Sequence, residues 1–463
     1  MKMSPREIFA LRDYLDPQLK GRSLSDARQV VQLTEFAGET CLEGRLAGLS
    51  GRSVLLAVAD QLVSALAMLE IDGVARRMLL CPPDLAAEHI STLVADAEID
   101  AVVTDRPAQW AASGIELVVS AQAPMRAAPR RQTERATEWL MLTSGTSGVP
   151  KIVGHTLEGL TGAIVADGPA RGASPVWATF YDIRRYGGLQ IFLRAIVGGG
   201  SMVLSEPGEP VADYVARLRE KSVTHISGTP SHWRKLLMSG SASDFSPRYV
   251  RLSGEIADQA VLDGLSRAFP AASIGHAYAS TEAGVGFAVN DGLEGFPADM
   301  IGVNRDGVEM KVEDGSLRIR SKRTAHAYVG RQAAALTDDQ GFVDTGDMVE
   351  RRGDRYHFVG RRGGIINIGG LKVHPEEIEA VINRHAEVRI SRARSRRSPI
   401  TGAIVVVDVI LADGCDAGRA DEIRNMILAD CRASLASHKV PAVIRFVASL
   451  DVTAAGKLAR HDA

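Results

Sequence analysis

The feature that most constrains the fold is an alternation of short apolar runs and amphipathic segments between residues 53 and 285. The segments 53–59 and 100–104 are short and apolar, whereas 61–69 and 85–97 have the apolar spacing of helices. Buried strands that alternate with helices favour a parallel sheet, because each parallel pair needs a crossover that covers one face of the sheet. The sequence therefore predicts an α/β fold.

The pattern changes after residue 300. Between residues 301 and 360 short strands and turns predominate, which is typical of an antiparallel, barrel-like segment. Further on, the sequence predicts a helix from Pro375, an apolar strand at 403–411 and a helix at 421–435. We predict a large N-terminal domain (residues 1–360) of parallel-rich α/β subdomains plus a distorted β-barrel, and a small, mobile α+β C-terminal domain (residues 361–463).

Composition excludes several kinds of partner. The 54 Lys and Arg residues nearly balance the 56 Asp and Glu residues, so no excess of charge favours a nucleic acid or a membrane surface. The first six residues lack the long apolar run that is typical of a signal peptide, and the most apolar stretch, 54–69, is too short and too polar to span a bilayer. The four cysteines lie far apart, without the spacing of a zinc site. We expect a cytoplasmic protein whose oligomeric state stays open.

A loop of small and hydroxyl residues follows the predicted strand at 139–142. It reads Thr143-Ser144-Gly145-Thr146-Ser147-Gly148-Val149-Pro150-Lys151. Small residues let backbone N–H groups approach an anion, and the hydroxyl groups add donors, so the pattern predicts a phosphate-binding loop. It is not a Walker loop, because proline stands directly before the lysine where that pattern has glycine.

Two further motifs offer oxygen ligands, one at the end of a predicted strand and one in a predicted turn. Thr281 and Glu282 offer a hydroxyl and a carboxylate, which suit Mg²⁺ bound together with substrate phosphates, although alone such a pair is more typical of a helix start. Asp347 can accept two hydrogen bonds from a ribose diol, although alone its segment is typical of a turn.

Three segments near the C-terminal end need separate consideration. Glycines at 363–364 and 369–370 can serve as a hinge and permit close approach of a ligand. Lys457 lies between small residues and is by default a solvated tail residue. The arginine-rich run 389–397 predicts a solvated face, with a contact to nucleotide phosphates as the alternative.

The order and spacing of these motifs, over residues 50–463, resemble those of the adenylate-forming superfamily. That superfamily includes acyl- and aryl-CoA ligases, peptide-synthetase adenylation domains and luciferases. The resemblance implies that the loop 143–151 holds phosphates, that Asp347 binds ribose and that Lys457 is the catalytic lysine. It also implies nucleotide contacts at Ser253, Gly254, Glu255, Tyr278, Ala279, Ser280 and Arg361.

The chain departs from the family pattern at two of these positions. Ala279 stands where the family usually has glycine, so the backbone there must avoid angles that only glycine adopts. Gly363 replaces the usual charged hinge residue, which removes any cap or salt bridge that such a side chain makes. The effect of Gly363 on the hinge stays open.

The resemblance implies an ATP-dependent carboxylic acid ligase that forms an acyl-adenylate and then a thioester. Lys457 would bridge the carboxylate and the α-phosphate, while Thr281 and Glu282 hold Mg²⁺. The C-terminal domain would then rotate about Gly363 and bring Gly370 and Lys372 beside the thiol. The implied cofactors are ATP, Mg²⁺ and coenzyme A.

Which acid binds is less constrained. By position the acid pocket includes Tyr181, Thr229 and Gly284, and an aromatic and polar lining predicts a small aromatic or other compact acid. Arg184 and Arg185 are either pocket cations or an ion pair on the outer face. One alternative function is a stand-alone adenylation enzyme that loads a separate acyl carrier protein. A second is a non-catalytic acyl-nucleotide-binding protein, which predicts the loss of Lys457 or Glu282, although both are present.

Overall fold

The structure of the chain is a computed structural model. It describes residues 10–15, 20–111, 113–126, 135–143, 150–164, 174–330, 334–368, 371–398, 402–412, 414–415 and 417–451. Within them no helix combines the length and the apolar character needed to cross a bilayer.

The elements alternate as predicted from the start of the chain to residue 289. Up to residue 143 they are β1 (Ser23–Ser25), β2 (Val30–Gln32), α1 (Leu33–Phe36), β3 (Glu39–Thr40), β4 (Ser53–Ala57), α2 (Gln61–Ile71), β5 (Arg77–Leu80), α3 (Ala87–Asp96), β6 (Ala101–Thr104), β7 (Leu117–Ser120), β8 (Met125–Arg126) and β9 (Glu138–Leu142). They continue as β10 (Ile152–His155), α4 (Leu157–Thr161), β11 (Val176–Thr179), α5 (Tyr186–Val197), β12 (Ser201–Val203), α6 (Val211–Glu220), β13 (His225–Gly228), α7 (Pro230–Met238), β14 (Tyr249–Ser253), α8 (Gln259–Ala268), β15 (Ser273–Ser280) and β16 (Gly284–Val289).

Strands predominate in the next part of the chain. The elements are β17 (Phe296–Pro297), β18 (Val308–Glu313), β19 (Ser316–Ser321), β20 (Ala327–Val329), β21 (Val343–Arg352), β22 (Arg355–Arg361), β23 (Ile366–Ile368), β24 (Leu371–Val373), α9 (Pro375–Ile382), β25 (Val388–Ser398), β26 (Gly402–Leu411), α10 (Ala420–Ser434) and β27 (Val443–Phe446). The helix predicted from Pro375, the strand at 403–411 and the helix at 421–435 are thus confirmed within one residue.

Two large sheets form the body of the first 290 residues. One has the order β20-β10-β9-β5-β4-β6-β7 and the other the order β16-β15-β14-β13-β11-β12-β1-β2. Pairing is parallel in the interior of both sheets, antiparallel at both edges of the eight-stranded sheet, and antiparallel at the β20-β10-β9 edge of the seven-stranded sheet, whose other edge strand, β7, pairs in parallel. The helix α2 is buried along its whole length, as expected for a helix that is apolar on all sides and packs in the core. The predicted parallel-rich α/β fold is therefore confirmed.

The segment predicted to be antiparallel and barrel-like forms a five-stranded antiparallel sheet. Its order is β17-β22-β21-β19-β18, and its core includes Phe287, Phe296 and Val343. The strand β20 lies between β19 and β21 in the sequence, but it pairs with β10 at the edge of the seven-stranded sheet. The antiparallel sheet is thereby connected to the strand that follows the predicted phosphate-binding loop.

The last part of the described chain forms a small α+β unit. The helices α9 and α10 pack against β25, β26 and β27 through apolar residues that include Ile378, Val407 and Ile427. On the opposite face of this sheet the buried carboxylate of Asp408 accepts hydrogen bonds from Arg394 at 3.0 Å and from two further arginines, Arg392 and Arg445. The expectation of a solvated arginine face is therefore wrong at 392 and 394, because those side chains pair with a buried acid.

Candidate active site

Four parallel strands of the eight-stranded sheet end at the same edge. They are β11, β13, β14 and β15, and each pairs in parallel with its neighbour. Ligands of open α/β sheets bind beyond the carboxyl ends of such strands. The segments that directly follow these strands are 180–186, 229–232, 254–255 and 281–282. The topology thus brings together four of the segments that the sequence singled out.

Asp347 on β21 lies at the centre of a hydrogen-bonded group. The hydroxyl of Tyr278 on β15 donates to its Oδ2 at 2.5 Å, and Nε of Arg361 on β22 donates to its Oδ1 at 2.8 Å. The ring of Tyr278 stacks on Phe287 and Phe358, with centroid distances of 5.7 and 5.3 Å. These rings hold the hydroxyl in place, so three residues that the sequence selected separately form one group.

The electrostatics of this group keep each member in its hydrogen-bonding form. Burial raises the pKa of Tyr278 well above its ordinary value, and the charge of Asp347 raises it further. Burial alone would lower the pKa of Arg361, because it disfavours the charged guanidinium. The negative charge of Asp347 outweighs that effect, so the pKa of Arg361 is raised. Tyr278 and Arg361 therefore stay donors, and each oxygen of Asp347 keeps a lone pair for another donor such as a ribose hydroxyl.

Thr281 and Glu282 lie in the turn that joins β15 to β16, not at the start of a helix. The N–H of Ala283 donates to Oγ of Ser280 at 3.0 Å, and the N–H of Ala325 donates to the carbonyl oxygen of Glu282 at 3.0 Å. Across the described ranges no hydrogen bond or ion pair engages the carboxylate of Glu282. The backbone of the turn is therefore fixed while its carboxylate stays available.

Gly284 ends the same turn with a φ of +75°. A Cβ built there would lie 2.2 Å from the carbonyl oxygen of Arg323, so both the backbone angle and the space require glycine. Glycine at position 284 lets the turn pack against the backbone of Arg323. The predicted role of Gly284 as an acid contact stays a prediction. Ala279, by contrast, lies in the extended strand β15, where alanine is unstrained, as the sequence predicted.

A magnesium ion fits this turn. Within the described part of the chain no three His, Cys, Asp or Glu side chains gather into a set that could hold a metal. Mg²⁺ needs no such set, because it binds through one or two carboxylates together with water and substrate phosphates. The available carboxylate of Glu282 and the neighbouring hydroxyl of Thr281 suit that mode of binding.

The segment 253–255, which was predicted to contact the nucleotide, is joined to the predicted acid pocket. The hydroxyl of Tyr181, which is buried, donates to the carbonyl oxygen of Ser253 at 2.7 Å. Gly254 follows with a φ of +85°, and Glu255 accepts hydrogen bonds from the N–H and the hydroxyl of Ser231, at 2.9 and 3.1 Å. The Glu255 carboxylate thereby holds the first turn of α7 against the end of β14.

The aromatic part of the predicted pocket is built from three rings. Phe180 stacks on His232 with a centroid distance of 5.4 Å, and Tyr181 meets the same imidazole edge-on at 6.0 Å. Burial lowers the pKa of His232 to about 4, so the imidazole is neutral at physiological pH. Thr229, which the sequence placed in the pocket, is fully buried and caps α7 by accepting from the N–H of His232. His232 thus adds a neutral ring beside Phe180 and Tyr181.

Arg184 is neither a pocket cation nor part of an outer ion pair. Its side chain is buried, pairs with both carboxylate oxygens of Asp182, and donates to the carbonyl oxygen of Ala59 at 2.7 Å. Arg185 instead pairs with Asp84 on the surface at 2.6 Å. The two neighbouring arginines therefore have different roles, and the outer-face alternative holds for Arg185 alone.

The predicted phosphate-binding loop is described only at its two ends. The N–H of Thr143 donates to the carbonyl oxygen of Lys151 at 2.9 Å, which joins the strands on either side. The ammonium group of Lys151 lies 5.0 Å from the ring centroid of Tyr328. The predicted contacts outside the described residues are Ser144, Gly145, Thr146, Ser147, Gly148, Gly370 and Lys457.

The predicted hinge lies at the end of β22. Arg362 to Gly364 form a short 3-10 turn, and Gly363 is exposed, with no atom within 4 Å of a Cβ built on it. Lys372 lies on β24, although its side chain is outside the described part. The space around Gly363 is therefore open to any side chain, so packing does not explain why glycine stands at this position.

Two arginines that sequence reasoning missed lie between α5 and the eight-stranded sheet. Arg251 on β14 donates to the hydroxyl of Tyr249 at 2.6 Å, and Arg194 on α5 has a long contact of 3.5 Å with the carbonyl oxygen of Ala163. Burial lowers the pKa of Arg194, and the charge of Arg251 acts in the same direction. No carboxylate of the described residues pairs with either arginine. The alternation of Tyr249, Arg251 and Ser253 along a buried strand was the signal that could have revealed a polar face.

Two protein-family models match this chain. A model for AMP-binding enzymes matches residues 54–324, and a model for the AMP-binding enzyme C-terminal domain matches residues 377–457. The chain belongs to the AMP-binding enzyme family. It is an AMP-forming acid–CoA ligase that uses ATP, Mg²⁺ and coenzyme A, as the resemblance implied.

Individual relatives of this AMP-binding enzyme are CoA ligases. It is 26% identical over 347 residues to a 2-succinylbenzoate–CoA ligase of Bacillus pumilus, covering 70% of this chain and 68% of the relative. A 2-succinylbenzoate–CoA ligase of Listeria monocytogenes is 27% identical over 393 residues, covering 81% of each chain.

Solved structures share the fold. The anthranilate CoA ligase AuaEII in complex with anthranoyl-AMP superposes with a TM-score of 0.81 at 17% identity, covering 99% of this chain and 97% of the other. The o-succinylbenzoate CoA synthetase of Bacillus subtilis, in complex with its acyl-adenylate, has a TM-score of 0.73 at 19% identity, covering 97% and 96%. The fold predicted for this AMP-binding enzyme is thereby confirmed over nearly its whole length.

Proposed function

We propose that this ligase activates a compact aromatic acid that carries a second polar or anionic group, and transfers the acyl group to coenzyme A. The observation that carries the substrate class is the pair of arginines, Arg194 and Arg251, which are half-buried without a carboxylate partner among the described residues and contact only neutral acceptors, the carbonyls of Ala163 and His276 and the hydroxyl of Tyr249. Partial burial of two neighbouring cations costs free energy that an anionic acceptor offsets better than a neutral one. A substrate with a second acidic or polar substituent supplies that acceptor.

The aromatic preference rests on the rings at the strand ends. Phe180, Tyr181 and His232 form a compact wall of neutral rings, and aromatic pairs favour offset or edge-on contact with a further ring. Tyr181 bonds the carbonyl of Ser253, and Arg251 lies two residues earlier on the same face of β14, roughly 7 Å deeper into the sheet. An acid of one ring with a short second arm fits that distance, and relatives named for 2-succinylbenzoate and anthranilate support such a substrate.

In the adenylation step the chain would act mainly by positioning and by neutralising charge. We assign the ribose to Asp347, supported by its two fixed donors and its remaining lone pairs. The loop 143–151 would hold the phosphates, and the Glu282 carboxylate with the Thr281 hydroxyl would hold Mg²⁺, which screens the phosphate charges. Lys457 would place its ammonium group between the acid and the α-phosphate, where negative charge gathers in the transition state.

In the thioester step the C-terminal unit would move. We assign residues 361–463 to a mobile domain, with residues 1–360 as the body, and place the hinge at Gly363, where the surroundings leave the backbone unobstructed. Gly370 and Lys372 would then approach the thiol. Coenzyme A is the acceptor of this ligase class, and a separate acyl carrier protein presents the same kind of thiol as the second candidate.

We place the enzyme in the cytoplasm. Among the described residues all four cysteines are free thiols, and Cys41, Cys81 and Cys431 are buried. Free thiols are typical of a reducing compartment. Sedimentation of the purified chain would measure the oligomeric state of the enzyme.

The decisive experiment is ATP–pyrophosphate exchange across a panel of acids. Benzoate, benzoates with a second carboxyl or amino group at the 2-position, and fatty acids would be compared, with coenzyme A consumption measured in parallel. We expect exchange with the 2-substituted benzoates, weaker exchange with benzoate, and thioester formation when coenzyme A is added. Exchange with no acid contradicts the adenylation itself. Exchange without consumption of coenzyme A favours a carrier protein, and a preference for fatty acids contradicts the aromatic pocket.

A further inference from the structure

His155 ends β10, the strand that begins directly after the predicted phosphate-binding loop. Its side chain is 1% exposed, and its Nε2 lies 2.8 Å from the backbone carbonyl oxygen of Thr281. A carbonyl oxygen only accepts, so Nε2 carries the proton and donates.

This bond reaches the turn that carries the proposed magnesium ligands. The turn is held by Ala325 at the carbonyl of Glu282 and by the hydroxyl of Ser280 at the N–H of Ala283. These two contacts engage the carbonyl of Glu282 and the N–H of Ala283. The contact of His155 instead engages the carbonyl of Thr281, the residue directly before Glu282. It therefore fixes the peptide plane from which the Glu282 side chain starts.

The other end of β10 is connected to the phosphate-binding loop. The N–H of Thr143 donates to the carbonyl oxygen of Lys151, one residue before β10 begins. The strand itself is paired on both sides, with β9 and β20. Such a strand is rigid, so the bond between His155 and Thr281 sets the position of the Glu282 turn relative to the loop.

A purely structural role explains the imidazole less well. Its ring packs on Tyr186 at a centroid distance of 5.6 Å, a contact that an apolar side chain could make as well. Its Nδ1 is buried, and no described residue makes a hydrogen bond to it. A buried acceptor without a partner is unfavourable, so a histidine is warranted here only by what its Nε2 does.

We propose that His155 is a positioning residue that holds the Thr281–Glu282 turn at a fixed distance from the phosphate-binding loop and thereby sets the affinity for magnesium-bound nucleotide. The inference rests on the proposed function, in that Glu282 is taken as the ligand of Mg²⁺. His155 does not touch the nucleotide, and it acts only through the backbone of the turn.

The test measures ATP binding by titration calorimetry, with Mg²⁺ and with EDTA, for the full chain and three variants. His155→Leu removes the donor, His155→Gln places an amide N–H within reach of the same carbonyl, and Val153→Ala is a buried control on the same strand. We define the magnesium gain as the ratio of the ATP affinity with Mg²⁺ to the ATP affinity with EDTA. We expect a gain above one in the native chain and a gain about tenfold smaller in His155→Leu, whose ATP affinity in EDTA should change little. His155→Gln should restore most of the gain, and Val153→Ala should lower thermal stability and leave the gain intact.

An unchanged magnesium gain in His155→Leu overturns the proposal, as does an equal loss in Val153→Ala. If His155→Leu does not fold, His155→Asn takes its place, because its shorter amide cannot reach Thr281. Equal magnesium gains for the Asn and Gln variants then overturn the proposal. Failure of the proposed function has a different signature, since the native chain would then show no pyrophosphate exchange with any acid. Even if the native chain shows no exchange, a smaller effect of Mg²⁺ on ATP affinity in His155→Leu than in the native chain would support the positioning role.

Discussion

The hydroxyl of Tyr278 donates a 2.5 Å hydrogen bond to the carboxylate of Asp347, across 69 residues of sequence. The bond joins the end of a strand in the eight-stranded α/β sheet to a strand of the antiparallel sheet. It therefore places the proposed ribose ligand at the same edge as the turn that carries Glu282. We propose that a nucleotide held by Asp347 would place its phosphates near the Thr281–Glu282 turn.

Removing this hydroxyl should weaken ATP binding. Tyr278→Phe leaves the ring stack intact but removes one of the two donors that orient Asp347. A hydrogen bond to a charged group contributes about 1.5–3 kcal/mol, so we expect the KM for ATP to rise at least tenfold with little change in the KM for the acid. Pyrophosphate-exchange kinetics measure both values. Tyr356→Phe is the matched control, because that ring stacks on Phe296 in the same sheet without contacting Asp347.

Lys457→Ala should separate the two half-reactions. Removal of a preorganised donor from a developing negative charge costs about 2.7–4 kcal/mol, or roughly 10²–10³ in rate. We expect adenylation to fall by that factor, while thioester formation from a supplied acyl-adenylate is spared. Single-turnover assays of each half-reaction measure the two rates. An equal loss in both would count against a role for Lys457 confined to adenylation.

Arg184 and Arg185 should differ sharply in their effect on stability. Arg184→Met leaves the carboxylate of Asp182, which is 15% exposed, without its fully buried partner, and breaking such an ion pair costs up to about 3–5 kcal/mol. Arg185→Met removes a surface pair with Asp84, which is worth about 1 kcal/mol or less. Urea unfolding of both variants gives the comparison. Similar losses in the two would contradict the structural role that we assign to Arg184.

Arg194→Leu should change which acid is preferred. If its guanidinium meets the second anionic group of the substrate, kcat/KM for a 2-carboxybenzoate should fall about tenfold or more, while the value for benzoate changes little. Steady-state kinetics with the two acids give the ratio. A uniform loss for both acids would show that Arg194 supports the fold and does not read the substituent.

Asp72 should make stability depend on pH. Its carboxylate accepts from the N–H of Leu11 and from Nε1 of Trp139, and burial raises its pKa to about 7. Because the unfolded value is about 3.9, the folded state binds the extra proton between pH 4 and pH 7, and its stabilising effect is lost as pH rises through 7. The free energy of unfolding of Asp72→Asn, relative to the native chain, should therefore increase by roughly 3 kcal/mol between pH 4.5 and pH 8.

Chemical unfolding of both chains at several pH values tests this expectation. The buried histidines are common to both chains, so their titration cancels in the difference. A difference between the two chains that does not vary with pH would mean that the Asp72 carboxyl titrates normally in the folded chain.

Much of the site was accessible from sequence because its residues follow strand ends. The apolar runs at β11, β13, β14 and β15 predict parallel strands, and parallel strands place their carboxyl ends together. Glu282 could be predicted on that basis together with the order of the motifs, whereas Asp347, which lies within the antiparallel strand β21, could be predicted from the order of the motifs alone. At Gly284 and Thr229 a motif position does not tell whether the residue is required by a tight turn or by a helix cap.

His155, Arg194 and Arg251 show the opposite case. Each is a single polar residue in an apolar segment, and nothing in its local pattern identifies its partner. His155 bonds a carbonyl 126 residues away, and the two arginines become neighbours only when α5 packs on the sheet. Arg184 and Arg185 are adjacent in sequence, yet one is buried and the other is paired on the surface.

The sequence by itself determined the order of the elements, the parallel topology and the motif residues, because these depend on local periodicity and spacing. Only the tertiary structure decided which polar side chains are engaged with the backbone and which remain available for a ligand. The physical reason is that a hydrogen bond or an ion pair depends on distances of about 3 Å between atoms that are far apart in the chain. Those distances are set by packing of the whole fold and not by any segment of it.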